Sequence, residues 1–267
     1  MRRHPIDQAM SVKFRYLYRA YRYRLRVDSA ELRFVCSQLQ PGQVAADIGC
    51  HKGAYTYWMR RRVGPSGAVF AFEPQPKQVA YLRSAFNAMR YDNVSLVPMA
   101  VSNTCGKLPL HLPQGAGQTH AASLVGPPSR GGRIAGVAIS LAPRAETLLV
   151  DITTLDKFFA TQDRAPNFLK IDVEGHELAV LEGARHTLDS HRPALLVECE
   201  SRHHPDGDLR PVFDLLHSHG YHGTFFLNGR RRPLADFNPA KHQRMEPGKI
   251  SPPRDYANNF AFVDAPK

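Results

Sequence analysis

The chain has 267 residues, of which 43% are hydrophobic, so it can bury the core of one large α/β domain and is not wholly disordered. Its 35 Lys and Arg residues exceed its 24 Asp and Glu residues, and the resulting formal charge of +11 favours an anionic partner or surface. The four cysteines lie far apart without a C-x-x-C pair, which excludes a disulfide framework and a zinc ribbon and favours a cytoplasmic setting. We expect neither a membrane span nor a secretory signal.

A basic amphipathic helix is predicted within an N-terminal extension at residues 1–35. Apolar side chains recur at helical spacing on one stripe, at Phe14, Leu17, Tyr21 and Leu25. Arginines repeat in the same rhythm on a neighbouring stripe, at Arg15, Arg19, Arg22 and Arg26. Two interpretations stay open. Residues 13–26 contact the inner face of a membrane peripherally, or the helix packs across the core with its arginines in solvent.

Residues 36–267 are predicted to form a single domain. From Val44 to Glu198, short apolar runs with the composition of fully buried strands alternate with helical segments. The predicted strands are VAADI (44–48), AVFAF (68–72), VSLVPMAV (94–101), FLKIDV (168–173) and ALLVE (194–198). The predicted helices between them are 54–63, 76–89 and 175–188. This alternation predicts a mostly parallel sheet with helices on both faces.

Two stretches depart from the alternation. Residues 107–155 predict a β-rich insertion that contains a mobile Gly-, Pro- and Ser-rich loop at 114–132. After Glu198 we expect a helix at 209–217 and two further strands at 223–227 and 258–263. The Pro- and Arg-rich residues 229–257 between these strands read as a long, variable surface loop.

The first candidate site is the turn DIGCHKG, which runs from Asp47 to Gly53 between a strand and a helix. Glycines in such a turn let the backbone approach a ligand, with helix N–H groups directed at it. Glu73 ends the next strand, where a carboxylate can accept hydrogen bonds from both ribose hydroxyls of a nucleotide-like cofactor. A dinucleotide-binding turn would begin with glycine, whereas Asp47 suits the ammonium group of S-adenosylmethionine and would repel a pyrophosphate. Each element alone also fits a tight turn beside a surface glutamate.

The second candidate site is FLKIDVEGHE, residues 168–177. Lys170 and Asp172 share one face of a strand, and Glu174 follows at the turn. Ligands of open α/β sheets bind beyond the carboxyl ends of the strands, so we expect both carboxylates to reach a cleft there. The alternative is structural, with Asp172 capping the next helix and Lys170 paired with Glu198 on a neighbouring strand.

Taken in order, these motifs resemble one known family. DIGCHKG, VFAFEPQP, VSLVPMAVSN, TTLDKF, FLKIDVEGHELAVLEGA and RPALLVECE are together similar to the FkbM family of S-adenosylmethionine-dependent methyltransferases, over roughly residues 30–225. The resemblance implies a Rossmann-like class I methyltransferase fold with a seven-stranded sheet. It also implies methylation of a hydroxyl on a sugar, glycoconjugate or polyketide-like product. Cys50 and Lys52 depart from the residues usual in the family, but no required glycine is missing.

The resemblance also implies roles for individual residues. The methionyl part of the donor would lie against Asp47, Gly49 and Gly53, the ribose against Glu73, and the adenine near Pro74 and the run after the third strand. The complete predicted set for S-adenosylmethionine is Asp47, Gly49, Cys50, His51, Gly53, Glu73, Pro74, Ala100, Ser102 and Asp172. The predicted catalytic residues are Lys170, Asp172, Glu174 and His176.

Within the catalytic set, Asp172 or Glu174 would orient the acceptor hydroxyl, and His176 or Asp172 would act as the base. His176 alternatively faces solvent at the start of a helix. No metal site is predicted, because the run of His217, His219 and His222 matches neither helical ligation nor a zinc finger. Mg²⁺ held by Asp172 and Glu174 is the alternative that stays open.

The acceptor is expected to be a small molecule or a glycan. RNA methylation is the alternative function, in which the N-terminal Arg- and Tyr-rich helix would contact nucleic acid. The sequence contains no recognisable RNA-binding module and no Asn-Pro-Pro-Tyr type of motif, so nucleic acid is the less favoured partner.

Overall fold

The chain folds into alternating strands and helices, and the computed structural model describes residues 5–112, 123–124, 131–134, 137–140, 146–245, 253 and 255–264. The strands are β1 Val44–Ile48, β2 Ala68–Phe72, β3 Val94–Val97, β4 Ala100–Val101, β5 Gly106–Leu112, β6 Gly131–Ile134, β7 Val137–Ser140, β8 Glu146–Thr153, β9 Phe168–Ile171, β10 Ala194–Glu198, β11 Tyr221–Leu227, β12 Arg230–Pro233 and β13 Asn259–Asp264. The α-helices are α1 Pro5–Arg22, α2 Ser29–Gln38, α3 Ala54–Val63, α4 Pro76–Met89, α5 Leu155–Phe159, α6 Glu177–Glu182, α7 Arg185–His191, α8 Arg210–Ser218 and α9 Pro239–His242. A π-helical turn, Tyr23–Val27, connects α1 to α2.

The main sheet has the order β12-β11-β13-β10-β9-β1-β2-β3. Its strands from β10 to β3 run parallel, and β13 lies antiparallel between β10 and β11. Every residue of β1 and β9 is buried, as expected for strands covered by helices on both faces. The register pairs Asp47 with Lys170, so the two candidate motifs lie side by side. The Rossmann-like α/β fold predicted from the sequence is confirmed.

The sheet has eight strands, one more than the seven expected. The added strand is β12, which pairs antiparallel with β11 across a turn at Asn228 and Gly229. Both turn residues have positive φ, 51° and 72°, and Asn-Gly is the sequence that favours such a two-residue hairpin turn. The prediction of a long loop at 229–257 was therefore wrong over β12 and α9, while residues 246–252 and 254 lie outside the described part of the chain.

The predicted strand 94–101 divides into two. Pro98 lacks a backbone N–H and interrupts the ladder, so β3 stays in the main sheet and β4 pairs with β8 in a second sheet of order β4-β8-β5. The long antiparallel pairing of β5 with β8 agrees with the predicted β-rich insertion. Most of the predicted loop at 114–132 lies outside the described residues.

The helix predicted at 175–188 is also divided, into α6 and α7. A Cβ atom on Gly183 would lie 2.1 Å from the carbonyl oxygen of Ser102, so the backbones of these two segments approach too closely for any side chain. The carboxylate of Asp156 then accepts the N–H groups of His186 and Thr187 at 3.0 and 2.8 Å. These bonds satisfy the first N–H groups of α7, so a second helix begins there.

Apolar side chains cover both faces of the main sheet. On one face, strand residues such as Leu169 and Ile171 pack with α6, α7 and α8. On the other face, Phe168 packs with residues of α2 and α3 such as Phe34 and Met59. No helix within the described residues is long and apolar enough to cross a bilayer.

The helix α1 packs against α3 and α4 through a face that only partly overlaps the predicted apolar stripe. Tyr16 and Ala20 are fully buried there, and the indole nitrogen of Trp58 donates to the carbonyl oxygen of Ala20 at 2.9 Å. By contrast, Phe14 and Leu25 are each 71% exposed. The stripe predicted from spacing is therefore divided. Leu17 and Tyr21 contact the core, whereas Phe14 and Leu25 face solvent, so this segment is docked on the core and also apolar on its outer side.

Candidate active site

A cleft of about 750 Å³ opens at the carboxyl ends of β1, β2, β9 and β10. This is the edge at which ligands of open α/β sheets bind. Eight carboxylic side chains line it: Asp28, Glu31, Asp47, Glu73, Asp172, Glu174, Glu198 and Glu200. Five cationic side chains line it as well, Arg19, Arg26, Lys52, Lys170 and Arg202, so the lining carries both charges with an excess of carboxyl groups.

Asp47 is the penultimate residue of β1 and is 1% exposed. One oxygen, Oδ2, accepts a hydrogen bond from the hydroxyl of Thr56 at 2.5 Å. The other oxygen, Oδ1, is buried and has no hydrogen-bond partner in the structure. Burial raises the pKa of Asp47, and the nearby Lys170 opposes this rise. A buried acceptor that lacks a partner and borders the cleft fits the ammonium group of the methionyl part of S-adenosylmethionine.

Glu73 follows β2 and is 2% exposed. Its two oxygens accept the backbone N–H groups of His51 and Gln75, each at 2.9 Å. Burial raises the pKa of Glu73 to about 8, although these two hydrogen bonds oppose the rise. Because a carboxylate offers about four lone-pair sites, Glu73 can hold the turn and still accept ribose hydroxyls.

The two glycines of the turn have positive φ values, 76° at Gly49 and 72° at Gly53. A Cβ atom on Gly49 would lie 1.9 Å from the carbonyl oxygen of Asp172, and one on Gly53 would lie 2.9 Å from the ring of Tyr16. At both positions, neighbouring atoms of the protein leave no room for a side chain. Gly49 lines the cleft, whereas Gly53 does not.

Lys170 lines the cleft and is 2% exposed. Its Nζ lies 2.9 Å from Oδ2 of Asp172 and 4.9 Å from the centroid of the Tyr55 ring. Burial alone would lower the pKa of Lys170, but the carboxylates of Asp172 and Glu198 outweigh that effect and raise it. Lys170 thus stays charged and pairs directly with Asp172 across one face of the strand.

Glu174 sits in the turn after β9 with a positive φ of 51°. Its Oε2 lies 2.9 Å from Nδ1 of His203. Burial raises the pKa of Glu174, and the contact with His203 opposes this change. The same contact raises the pKa of His203 against its own burial. Since Asp172 and Glu174 each already contact a cationic or basic group, their geometry does not favour a Mg²⁺ site.

Two predicted site residues contact each other away from the cleft. Nε2 of His176 lies 2.9 Å from the hydroxyl of Ser102, and neither residue lines the cavity. Burial lowers the pKa of His176. His176 immediately precedes α6, where the Ser102 contact directs its ring toward the β4 side, so the structure does not support its prediction as the base. The other predicted residues that line the cleft are Cys50, His51, Pro74 and Ala100.

Several cleft residues were absent from the predicted site. The hydroxyl of Tyr55 donates to Asp28 at 3.0 Å, and that of Tyr256 donates to Glu200 at 2.7 Å. Burial raises the pKa of Asp28 to about 6. The position of Glu200 just beyond β10 could have indicated a site residue, since the carboxyl ends of the remaining parallel strands also contribute residues to the cleft. Asp28 and Tyr256 had no such signal, because they come from the segment before β1 and from beyond the family-like region.

One group outside the cleft has the donor atoms of a metal site. Glu177, Cys199 and His204 bring an oxygen, a sulfur and a nitrogen within 4.8 Å of one another. Nε2 of His204 lies 2.9 Å from Oε2 of Glu177 and 3.3 Å from the Cys199 sulfur. Burial raises the pKa of the Cys199 thiol, which disfavours the thiolate that metals prefer. The three groups satisfy one another as a hydrogen-bonded network between β10 and α6.

Comparison with known proteins agrees with this geometry. Residues 47–222 match the family described as "Methyltransferase FkbM domain". The chain belongs to the FkbM methyltransferase family. S-adenosylmethionine, predicted from the sequence as the cofactor, is confirmed by this membership. No curated protein matches the chain.

The chain is also similar to solved structures of methyltransferases. The FkbM methyltransferase from Methylobacillus flagellatus KT is 15% identical, with a TM-score of 0.50 over 97% of this chain and 58% of that one. This chain therefore spans less than two thirds of that family member. An O-methyltransferase from Bacillus cereus in complex with SAH is 13% identical, with a TM-score of 0.46 over 96% and 91% of the two chains. A putative rRNA-methylase from Clostridium thermocellum is 10% identical, with a TM-score of 0.48 over 89% and 94%.

Proposed function

We propose that this protein is an O-methyltransferase that transfers the methyl group of S-adenosylmethionine to a hydroxyl of a small molecule or glycan. The observation that carries the proposal is the carboxylate of Asp172, which is ion-paired to the buried Lys170 inside a cleft that also contains Asp47 and Glu73. When bound, the donor supplies an electrophilic methyl group on a sulfonium. The residues of this chain then have to align the acceptor and remove its proton.

The donor half of the site is assigned to the β1 and β2 ends. The free Oδ1 of Asp47 accepts the donor ammonium, and the carboxylate of Glu73 accepts the ribose hydroxyls. Cys50 and His51 bring the turn backbone to the cleft, with Pro74, Met99 and Ala100 beside the adenine. Asp47 and Glu73 are both almost fully buried, so water competes little for these hydrogen bonds.

The acceptor half is assigned to the β9 end. Asp172 is 29% exposed at its side chain, so it can accept a hydrogen bond from an incoming hydroxyl while Lys170 fixes its position. Glu174 takes the proton during methyl transfer, because a carboxylate with a raised pKa is a stronger base and His203 holds it in place. The hydroxyl oxygen gains the methyl group, and its proton passes to Glu174.

The charge of the cleft bears on the class of acceptor. Eight carboxyl groups outnumber five cationic side chains in its lining, which is unlike the basic groove that binds the phosphate backbone of a nucleic acid. RNA methylation, the alternative raised by the sequence, is therefore less well supported than methylation of a neutral hydroxyl.

The proposal is tested with Asp172→Asn, which preserves the size of the side chain. We expect turnover to fall by about 10²-fold, because the acceptor hydroxyl loses the carboxylate that orients it, with little change in affinity for S-adenosylhomocysteine. Asp151→Asn is the matched control, because Asp151 is exposed and pairs with Lys107 outside the cleft. Radiolabelled methyl transfer into an extract of the native cells gives the rate, and mass spectrometry with NMR identifies the methylated atom. A wild-type rate in Asp172→Asn, or a methyl group on nitrogen, carbon or RNA, would refute the proposal.

We also propose a peripheral contact between a membrane surface and the outer side of α1 together with the π-helical turn that follows it. Five large apolar side chains between residues 14 and 27 are exposed: Phe14, Tyr18, Tyr21, Leu25 and Val27. Arginines flank them, as in helices that lie on anionic bilayers. Phe14→Ser with Leu25→Ser should reduce sedimentation with anionic vesicles, whereas Leu149→Ser, a change at an apolar residue that is 67% exposed elsewhere, should not. Equal sedimentation of all three proteins would contradict the contact.

A further inference from the structure

A second cavity, of about 340 Å³, lies between α1 and the turn after β1. Its lining consists of four basic and two tyrosine side chains: Arg15, Tyr18, Arg19, Arg22, Lys52 and Tyr81. Among the residues that the structure describes, no acidic side chain lines it. We refer to these six residues as the basic cavity.

Three of the cations in the basic cavity are arginines of α1. Within the described part of the chain, no acidic side chain lies within ion-pair distance of Arg15, Arg19 or Arg22. Partial burial and the neighbouring charge of Arg19 lower the pKa of Lys52. Several cations held close together repel one another, and a bound anion would relieve that repulsion.

The basic cavity adjoins the cleft directly. Arg19 and Lys52 line both cavities, and Lys52 belongs to the donor-binding turn itself. On its other side the basic cavity borders the exposed outer strip of α1, since Tyr18 lines the cavity and is also 63% exposed. An apolar strip, a basic cavity and an acidic cleft thus follow one another across this side of the molecule.

We propose that the basic cavity binds a phosphate or diphosphate group carried by the acceptor, while the hydroxyl to be methylated lies in the cleft. This inference rests on the proposed function. Arginine side chains present planar forks of donors that match phosphoryl oxygens in pairs, and three of them line a single cavity here. The distribution of charge fits such a molecule, because four cations line the basic cavity, whereas eight carboxyl groups lie in the cleft beside it.

The test uses Arg15→Gln with Arg22→Gln, because both side chains are exposed and line only the basic cavity. The control removes two equally exposed arginines elsewhere, Arg33→Gln with Arg185→Gln. Binding of inorganic pyrophosphate is measured by calorimetry on the full chain. We expect the wild type and the control to bind it, and the Arg15/Arg22 variant to bind at least about tenfold more weakly.

Two further measurements separate the outcomes. Sedimentation with phosphatidylcholine vesicles, with and without phosphatidylglycerol, identifies the source of the phosphoryl group. If the wild type prefers the anionic vesicles and the Arg15/Arg22 variant loses this preference, the phosphoryl group belongs to a lipid. If the wild type binds pyrophosphate without preferring anionic vesicles, it belongs to a soluble molecule. Affinity for S-adenosylhomocysteine should be equal in all three proteins. If the wild type does not bind S-adenosylhomocysteine, the proposed function is contradicted, but the inference about the basic cavity is not.

The inference is overturned if the wild type does not bind pyrophosphate, or if the Arg15/Arg22 variant binds it as tightly as the control. It is also overturned if the variant loses affinity for RNA alone, since the basic cavity would then serve a nucleic acid.

Discussion

Asp47→Asn provides the sharpest test of how the donor is recognised. The substitution preserves the shape of the side chain, and an amide oxygen can still accept the hydrogen bond that Thr56 donates to Oδ2. What changes is the other atom, the buried Oδ1 that has no partner in the structure. An amide nitrogen there would direct its own hydrogens at the position assigned to the donor ammonium.

The expected magnitude follows from that one contact. A hydrogen bond to a charged group contributes about 1.5–3 kcal/mol, so affinity for S-adenosylhomocysteine should fall by about 10- to 150-fold. Folding should change little, because burial raises the pKa of Asp47 and the folded state thus gains little from its charge. We expect the free energy of unfolding to change by less than about 1 kcal/mol, a shift of a few degrees in Tm.

Calorimetry with two ligands isolates the contact. S-adenosylhomocysteine carries the amino-acid part, whereas 5′-methylthioadenosine lacks it. Asp47→Asn should therefore lower the affinity for S-adenosylhomocysteine and leave the affinity for 5′-methylthioadenosine unchanged. Glu31→Gln is the control, because Glu31 also lines the cleft but has no assigned contact with the donor. If Asp47→Asn binds S-adenosylhomocysteine like the wild type while remaining folded, or loses both ligands equally, the assignment of Oδ1 to the ammonium is wrong.

Two further predictions concern stability. Gly49→Ala would place a Cβ atom 1.9 Å from the carbonyl oxygen of Asp172, at a φ of 76°. We therefore expect the free energy of unfolding, measured with urea, to fall by several kcal/mol. A variant as stable as the wild type would show that the turn can move. The second prediction concerns pH. Burial raises the pKa of Glu73 from 4.5 to about 8, so the folded state retains a proton that the unfolded chain releases above 4.5. The stability of the wild type relative to Glu73→Gln should therefore fall as the pH rises from about 4.5 to about 8 and level off above that. Urea titrations across this range measure the difference, and an increase with pH would contradict the buried position of Glu73.

Local sequence was sufficient to predict the motif-bearing strands and the turn between β1 and α3. In these segments the apolar runs, the glycines and the acidic residues that follow the strands are consecutive in the chain. Because parallel strands align their carboxyl ends, Asp47, Glu73 and Asp172 could be predicted to meet without knowledge of the packing. The same reasoning failed at Ser102 and His176, since their mutual hydrogen bond joins two segments 74 residues apart.

The N-terminal helix illustrates the limit of periodicity. Its spacing placed Phe14 and Leu25 on one stripe, yet the face that packs on the core carries Tyr16 and Ala20. The small side chain of Ala20 allows α1 to approach Trp58 closely enough for a hydrogen bond to its backbone. Such complementarity depends on the shape of the receiving surface, which the sequence of the helix alone does not contain.

The sequence by itself determined the α/β class, the donor and the residues that begin its binding turn, because these depend on short-range pattern and chain order. Only the tertiary structure decided which distant carboxylates share the cleft, which glycines serve packing, and that three N-terminal arginines face the turn at Lys52 across one cavity. The physical reason is that burial and charge at a site are summed over all segments that surround it. Those segments come together only when the whole chain has folded.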